Sequence, residues 1–149
     1  MNIRRAFKGD LAALAAMEAG YPEYPAWGEK GLEAELGKPF SVTLVAEEGG
    51  APAGFVNFWV LRPQIQLNSI VVAGRALRGG VATAPIGKRE EYAKKSACRE
   101  VDLEVNERNA PALALYAKLG FEVVGRRPKF YNNTDAAVLM RKTLPGGER

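Results

Sequence analysis

Three carboxylates, Glu100, Asp102 and Glu104, alternate with Val101, Leu103 and Val105 and offer the clearest acid-base chemistry in this sequence. A period of two is that of a β-strand, which turns the acids to one face and the aliphatic residues to the other. A charged strand face is ordinarily a solvated one. It is also where a carboxylate, raised by burial and a like-charged neighbour, can take a proton from a substrate directly or through water. Asp102 and Glu104 would stand about 7 Å apart on that face. No histidine occurs in the 149 residues, so acid-base work falls to carboxylates, tyrosine, lysine or water, and Glu104, read as the last carboxylate of a face that lines a cleft, is the candidate general base.

A second candidate is the run Ile70-Val71-Val72-Ala73-Gly74-Arg75-Ala76-Leu77-Arg78-Gly79-Gly80-Val81-Ala82-Thr83, in which paired glycines separate an apolar strand from a helix. Two readings stay open from these residues. One is a plain strand-to-helix turn that uses glycine for geometry. The other is a phosphate cradle, in which the free N–H groups of the first helical turn and the helix dipole attract an anion while Arg75 and Arg78 add charge. No Gly-Lys-Ser/Thr follows, so the run is not a Walker loop, and it does not match G-x-G-x-x-G. Downstream, Asn109 before Ala110-Pro111 is a natural helix N-cap, and Tyr116 lies seven residues on, two turns along the same face. By spacing alone such a tyrosine reads as a core aromatic. The single cysteine, Cys98, excludes an internal disulfide and reads as a buried structural thiol.

The elements that position these groups follow from period and turn chemistry. Residues 1 to 6 read as a strand, and Asp10 caps a short helix carrying Leu11, Leu14 and Met17 and stopped by Gly20. Pro22 and Pro25 make 21 to 27 an aromatic loop, and a second helix covers 29 to 36. Strands at 41–47 and 54–61 are joined by Glu48-Gly49-Gly50-Ala51-Pro52-Ala53 as a hairpin, and 64–72 completes an antiparallel meander. After the glycine-rich loop come a helix from about 81 to 97, a strand at 99–105, a helix from 110 to 118 stopped by Gly120, and strands at 121–127 and 136–143. The order βααβββαβαββ predicts an α/β (α+β) fold, a mixed, mostly antiparallel central sheet flanked by helices. One domain over 1–144 with a flexible tail at 145–149 is expected from the length.

Hydrophobic residues at 47% and charged residues at 26% are those of a globular chain, which excludes disordered and fibrous classes. The apolar runs fall short of the roughly 20 residues that span a bilayer. The N-terminus lacks a signal segment, so a cytoplasmic location is expected. The net charge of +4 comes from scattered basic residues without a nucleic-acid-binding signature, and a polyanionic small ligand accounts for it equally well. No metal, nucleic-acid or membrane partner is expected.

Two blocks in register resemble the N-acetyltransferases of the GNAT family. Val72 to Ala82 is similar to that family's acetyl-CoA pyrophosphate loop, Q/R-x-x-G-x-G/A, with Leu77 where the family has Gln or Arg, Gly80 at the required glycine and Ala82 at the final small residue. Leu103 to Phe121 is similar to the strand and helix that complete the cofactor cleft, matching N-x-x-A-x-x-L-Y-x-x-x-G-F at Asn109, Ala112, Leu115, Tyr116, Gly120 and Phe121. The resemblance covers about 64 to 143 and implies a GNAT domain that uses acetyl-CoA as cosubstrate. It implies contacts to that molecule from Ile70, Val71, Val72, Leu77, Arg78, Gly79, Gly80, Val81, Ala82, Thr83, Asn109, Ala112 and Tyr116. A backbone N–H near Val72 would polarise the acetyl carbonyl, and the tyrosine at 116 would protonate the departing thiolate. Glu104 matches the glutamate given the base role in the ribosomal-protein alanine acetyltransferase branch.

The same branch is resembled at Arg126-Arg127-Pro128-Lys129-Phe130-Tyr131 and around Trp27, which implies substrate contacts from Trp27, Asp102 and Tyr131. Asn132-Asn133-Thr134-Asp135-Ala136-Ala137 departs from that branch, which has Glu-Asp-Ala there. The likeness at 126–131 and around Trp27 implies a protein or peptide N-terminal amine as the acceptor. The alternatives are a small amine such as a polyamine, amino acid or aminoglycoside, which the acids of 100–104 would suit, and an acyl-CoA sensor without turnover, at which Leu77 alone hints. A monomer or homodimer is expected.

Overall fold

The computed structural model describes residues 2–21, 26–73, 97–131 and 135–144. The helix expected from about 81, the loop residues Leu77, Arg78, Gly79, Gly80, Val81, Ala82 and Thr83, and the tail at 145–149 lie outside the described residues.

The described elements follow the expected order. They are β1 (Asn2–Arg5), a 3-10 turn (Lys8–Asp10), α1 (Leu11–Glu18), α2 (Gly28–Leu36), β2 (Ser41–Glu48), β3 (Ala51–Leu61), β4 (Gln64–Val72), β5 (Glu100–Asn106), α3 (Ala110–Lys118), β6 (Glu122–Tyr131) and β7 (Asp135–Thr143). Seven strands form one mixed sheet in the order β1-β2-β3-β4-β5-β7-β6. β4 and β5 pair in parallel, whereas β1 with β2, β2 with β3, β5 with β7 and β6 with β7 pair antiparallel. The chain divides into two compact units, Met1–Val60 with Asn68–Tyr92 and Leu61–Leu67 with Ala93–Arg149, and β4 passes from the second into the first after Leu67.

In the first unit, Leu11 and Leu14 of α1 and Leu32 of α2 pack on Val45 and Phe55, with Val71 beside them. The opposite face holds Ala46, Ala53 and Val72 against Ile3. Phe55 and Ala53 are two residues apart yet serve opposite faces, because the register slips between Ala46↔Gly54 and Glu47↔Pro52 and leaves Ala53 as an inserted residue. The β2–β3 connection is tighter than the six residues expected. Gly49 and Gly50 alone make the turn, at φ +60° and +82°, a backbone that glycine adopts without a Cβ penalty.

Asp10 stands at the N-cap of α1, yet its carboxylate makes no capping bond to that helix. It accepts instead from the Phe7 N–H at 2.9 Å and from both ends of the Arg4 guanidinium at 2.8 Å. A buried polar chain crosses the strands beside α2. Asn57, with no exposed surface, donates to Ser41 and Thr43 at 2.9 Å each and accepts from Asn68 at 3.0 Å. Ser41 and Trp59 donate in turn to the buried Glu35 at 2.8 and 2.6 Å. Burial opposes the charge on Glu35, but donors from Lys38, Trp59 and Ser41 outweigh it and hold the carboxyl below its ordinary range.

In the second unit, Val101, Leu103 and Val105 of β5 are buried, as are Phe121, Ala136, Ala137 and Met140. Cys98 is buried as expected, and desolvation pushes its thiol up.

Candidate active site

The β5 acids alternate with buried valine and leucine as the sequence predicts, and each carboxylate is half-buried. Asp102 is registered opposite Arg141 of β7 and takes a fork from its guanidinium at 2.7 and 3.2 Å. The same guanidinium stands 3.6 Å from Glu100. The Asp102 hydrogen bond, reinforced by its charge, pushes Arg141 further up. Glu104 pairs with Arg127 of β6 at 3.1 Å, and its side chain keeps 24% of its surface exposed. Asp102 and Glu104 each meet a guanidinium group, from Arg141 and Arg127 respectively.

After Glu104 the chain turns through a hydrogen-bonded corner. Glu107 donates its N–H to the Ala136 carbonyl at 3.0 Å, and its carboxylate accepts from the Ala136 N–H at 2.9 Å and from Arg126 at 2.8 Å. The Ala136 amide, followed by Arg126, holds the Glu107 carboxyl below its usual range. Asn106 and Arg108 both reach Asp135, at 3.2 and 2.7 Å. The corner is thereby tied to the start of β7 before α3 begins.

Asn109 caps α3 as predicted, its side-chain oxygen accepting the Ala112 N–H at 3.2 Å, with proline in the first turn where a missing N–H costs least. Tyr116, on the same helix, is half-buried and meets the Phe121 ring edge-on at 5.7 Å. Its carbonyl accepts the Phe121 N–H at 2.9 Å, and Gly120, at φ +96°, makes the reversal between them.

On β4, the pairs registered with β5 run from Gln64↔Glu100 to Leu67↔Leu103, and both strands continue past the last of them. Ile70 and Val71 are half-buried and Val72 is buried. The Ala73 N–H donates to the Ala53 carbonyl of β3 at 2.8 Å, and the Tyr21 hydroxyl donates to the Val72 carbonyl at 2.6 Å. Trp27 is 36% exposed, and the N–H groups of Trp27 and Gly28 both donate to the buried Glu18 carboxylate at 3.0 Å. Tyr131 ends β6, registered with Asp135. Its side chain lies outside the described residues.

The structure thus sets Asp102 and Glu104 on one face of β5, and Asn109, Ala112 and Tyr116 on α3. Sequence reasoning missed the partners: Arg141 and Arg127 opposite the acids, and Tyr21 and Glu18 at the ends of the aromatic loop. Alternation along β6 and β7 was the only available signal for the arginines. Tyr21 had no local signal, its partner being 51 residues away. Among the described residues no group of His, Cys, Asp or Glu is placed to hold a metal ion, and no helix is long and apolar enough to cross a membrane.

The chain is similar to known proteins in sequence and in fold. The sequence pattern described as the acetyltransferase (GNAT) family matches residues 11–121. The [ribosomal protein bS18]-alanine N-acetyltransferase of Escherichia coli (strain K12) is 29% identical over 126 residues, covering 85% of this chain and 84% of that one. A crystal structure of the Escherichia coli ribosomal-protein alanine N-acetyltransferase superposes with a TM-score of 0.85 at 25% identity, covering 95% of this chain and 92% of that one. An aminoglycoside 6'-N-acetyltransferase complexed with coenzyme A shares the fold at a TM-score of 0.78 and 18% identity, over 97% and 98% of the two chains.

Proposed function

We propose that this chain, which belongs to the acetyltransferase (GNAT) family, transfers the acetyl group of acetyl-CoA to the N-terminal amine of a protein or peptide. It is an N-acetyltransferase, and its fold is one that uses acetyl-CoA.

The reading is that Glu104 takes the proton from the incoming ammonium, directly or through one water. The amine nitrogen then bonds to the thioester carbonyl carbon, the C–S bond breaks, Tyr116 gives its proton to the departing thiolate, and the second proton that the nitrogen sheds as the amide forms restores the phenol. The backbone N–H of Val72 polarises the acetyl oxygen while charge develops on it. Ile70, Val71 and Val72 on β4, Asn109, Ala112 and Tyr116 on α3, and the run from Leu77 to Thr83 would hold the cosubstrate. The β4 backbone fits that task, because β4 continues beyond its last registered pair with β5. Holding both reactants in line would supply much of the rate enhancement.

The observation that carries the choice of acceptor is the pairing of the β5 acids. Arg141 between Glu100 and Asp102, and Arg127 beside Glu104, offset the negative charge that would attract a polyamine. A peptide amine carries one positive charge and needs one carboxylate, together with side chains such as Trp27, Asp102 and Tyr131 to hold the residues behind it. The alanine N-acetyltransferase of Escherichia coli, whose acceptor is a ribosomal protein by name, supports the same choice.

The test is acetyl-CoA turnover against peptides that differ at their first residue, beside spermidine, free amino acids and an aminoglycoside. Acetylation of the peptide α-amine with kcat/KM at least about 100-fold above the small amines is the expected result. A preference for any of the small amines would overturn it.

A further inference from the structure

Tyr21 follows Gly20 at the end of α1, its N–H donating to the Glu18 carbonyl at 3.0 Å. Its hydroxyl reaches the last carbonyl of β4, that of Val72, at 2.6 Å. The orientation of that carbonyl follows from its neighbour. The Ala73 N–H donates to the Ala53 carbonyl on β3. In a trans peptide the C=O and N–H are antiparallel, so the Val72 carbonyl points away from β3. On an extended residue the N–H and C=O project to the same side. The Val72 N–H therefore shares the side on which the Tyr21 phenol sits.

Resting on the reading that this N–H polarises the acetyl oxygen, we propose that Tyr21 is a positioning residue for acetyl transfer, whose hydroxyl holds the Val72 peptide so that its N–H stays aimed at the thioester carbonyl. Two hydrogen bonds fix the peptide that follows Val72, Tyr21 on one side and Ala53 on the other. The loss of one leaves the strand end to rotate. Tyr21 also opens the 21–27 segment, whose far end Glu18 pins through the N–H groups of Trp27 and Gly28 at 3.0 Å. One hydrogen bond thus joins the segment bearing Trp27 to the peptide that faces the acetyl group.

Tyr21→Phe removes the hydroxyl and keeps the ring, so folding is checked by thermal melting. The diagnostic readout is the infrared carbonyl stretch of bound [1-13C]acetyl-CoA, which falls when the oxygen accepts a strong hydrogen bond and which a merely structural residue would not move. In the wild type the stretch is expected below its solution value. In Tyr21→Phe it returns towards that value, and kcat falls about tenfold while the KM for acetyl-CoA changes by less than about twofold. A folded variant with unchanged stretch and unchanged kcat overturns the role of Tyr21 and leaves the acetyltransferase reading standing. A wild-type stretch equal to that in solution overturns the polarising role of Val72 and the inference with it, whatever the acceptor panel shows.

Discussion

Asp102 and Arg141 stand directly opposite each other across β5 and β7, and the guanidinium meets both carboxylate oxygens, at 2.7 and 3.2 Å. Both side chains keep some water contact, 24% and 37% of their surface, which limits what the pair contributes. A double-mutant cycle with Asp102→Asn and Arg141→Met should therefore give a coupling of about 1 kcal/mol, the upper end for pairs of this exposure. Urea denaturation at low and high salt measures it. A coupling that survives 1 M salt undiminished would contradict the solvent-screened character assigned to the pair.

Asp10 is the stronger electrostatic anchor. Its hydrogen bonds from Arg4, opposed by burial and aided by the Phe7 N–H, hold its carboxyl below the ordinary aspartate range. A depressed folded value means that the stabilisation is present above the unfolded pKa and is lost as pH falls through the folded one. Asp10→Asn should cost about 1–3 kcal/mol near neutrality, because it leaves the Arg4 fork poorly matched. The gap between wild type and variant should close as the pH is lowered into the acid range. Melting curves across that range decide it, and a gap independent of pH would refute the charged role.

How much of this was legible in the sequence depended on distance along the chain. The alternation at 100–105, the N-cap at Asn109 and the stop at Gly120 are local signals, and the structure reproduces each of them. The partners of the acids were hidden because register decides them. Arg141 meets Asp102 across 39 residues, and a slip of one position would have turned it to the other face. The inserted Ala53 likewise has no signature in composition, since Gly54 and Pro52 around it read only as a turn. Asp10 was read as a cap from its type, but the nearby Arg4 offered a charge-assisted partner that its carboxylate took instead.

Gly120 lies at φ +96°, and among the described residues a Cβ placed there would touch the Lys142 side chain, at 3.5 Å. The cost of Gly120→Ala is therefore conformational rather than steric, about 1–2 kcal/mol for a left-handed backbone. Because the reversal positions Phe121 against Tyr116, the substitution should also lower kcat on the proposed mechanism. Loss of stability without loss of kcat would separate the helix stop from the site.

Glu104 and Tyr116 bear the proposed proton transfers, and their failures should look different. Glu104→Gln keeps the size of the side chain and removes the base. It should lower kcat/KM by about 10²–10⁴-fold with acetyl-CoA affinity intact, the loss shrinking as pH rises and more of the amine arrives already deprotonated. Tyr116→Phe keeps the ring that meets Phe121 edge-on, and melting curves recorded beside the rates separate a structural defect from a catalytic one. Its defect lies in the leaving group, so it should shrink when the thiol released is more acidic than that of CoA, as with an activated aryl thioester. Rates measured with acetyl-CoA and with an aryl thioacetate, across pH, separate the two roles. Equal losses for both variants with both donors would assign neither proton transfer to either residue.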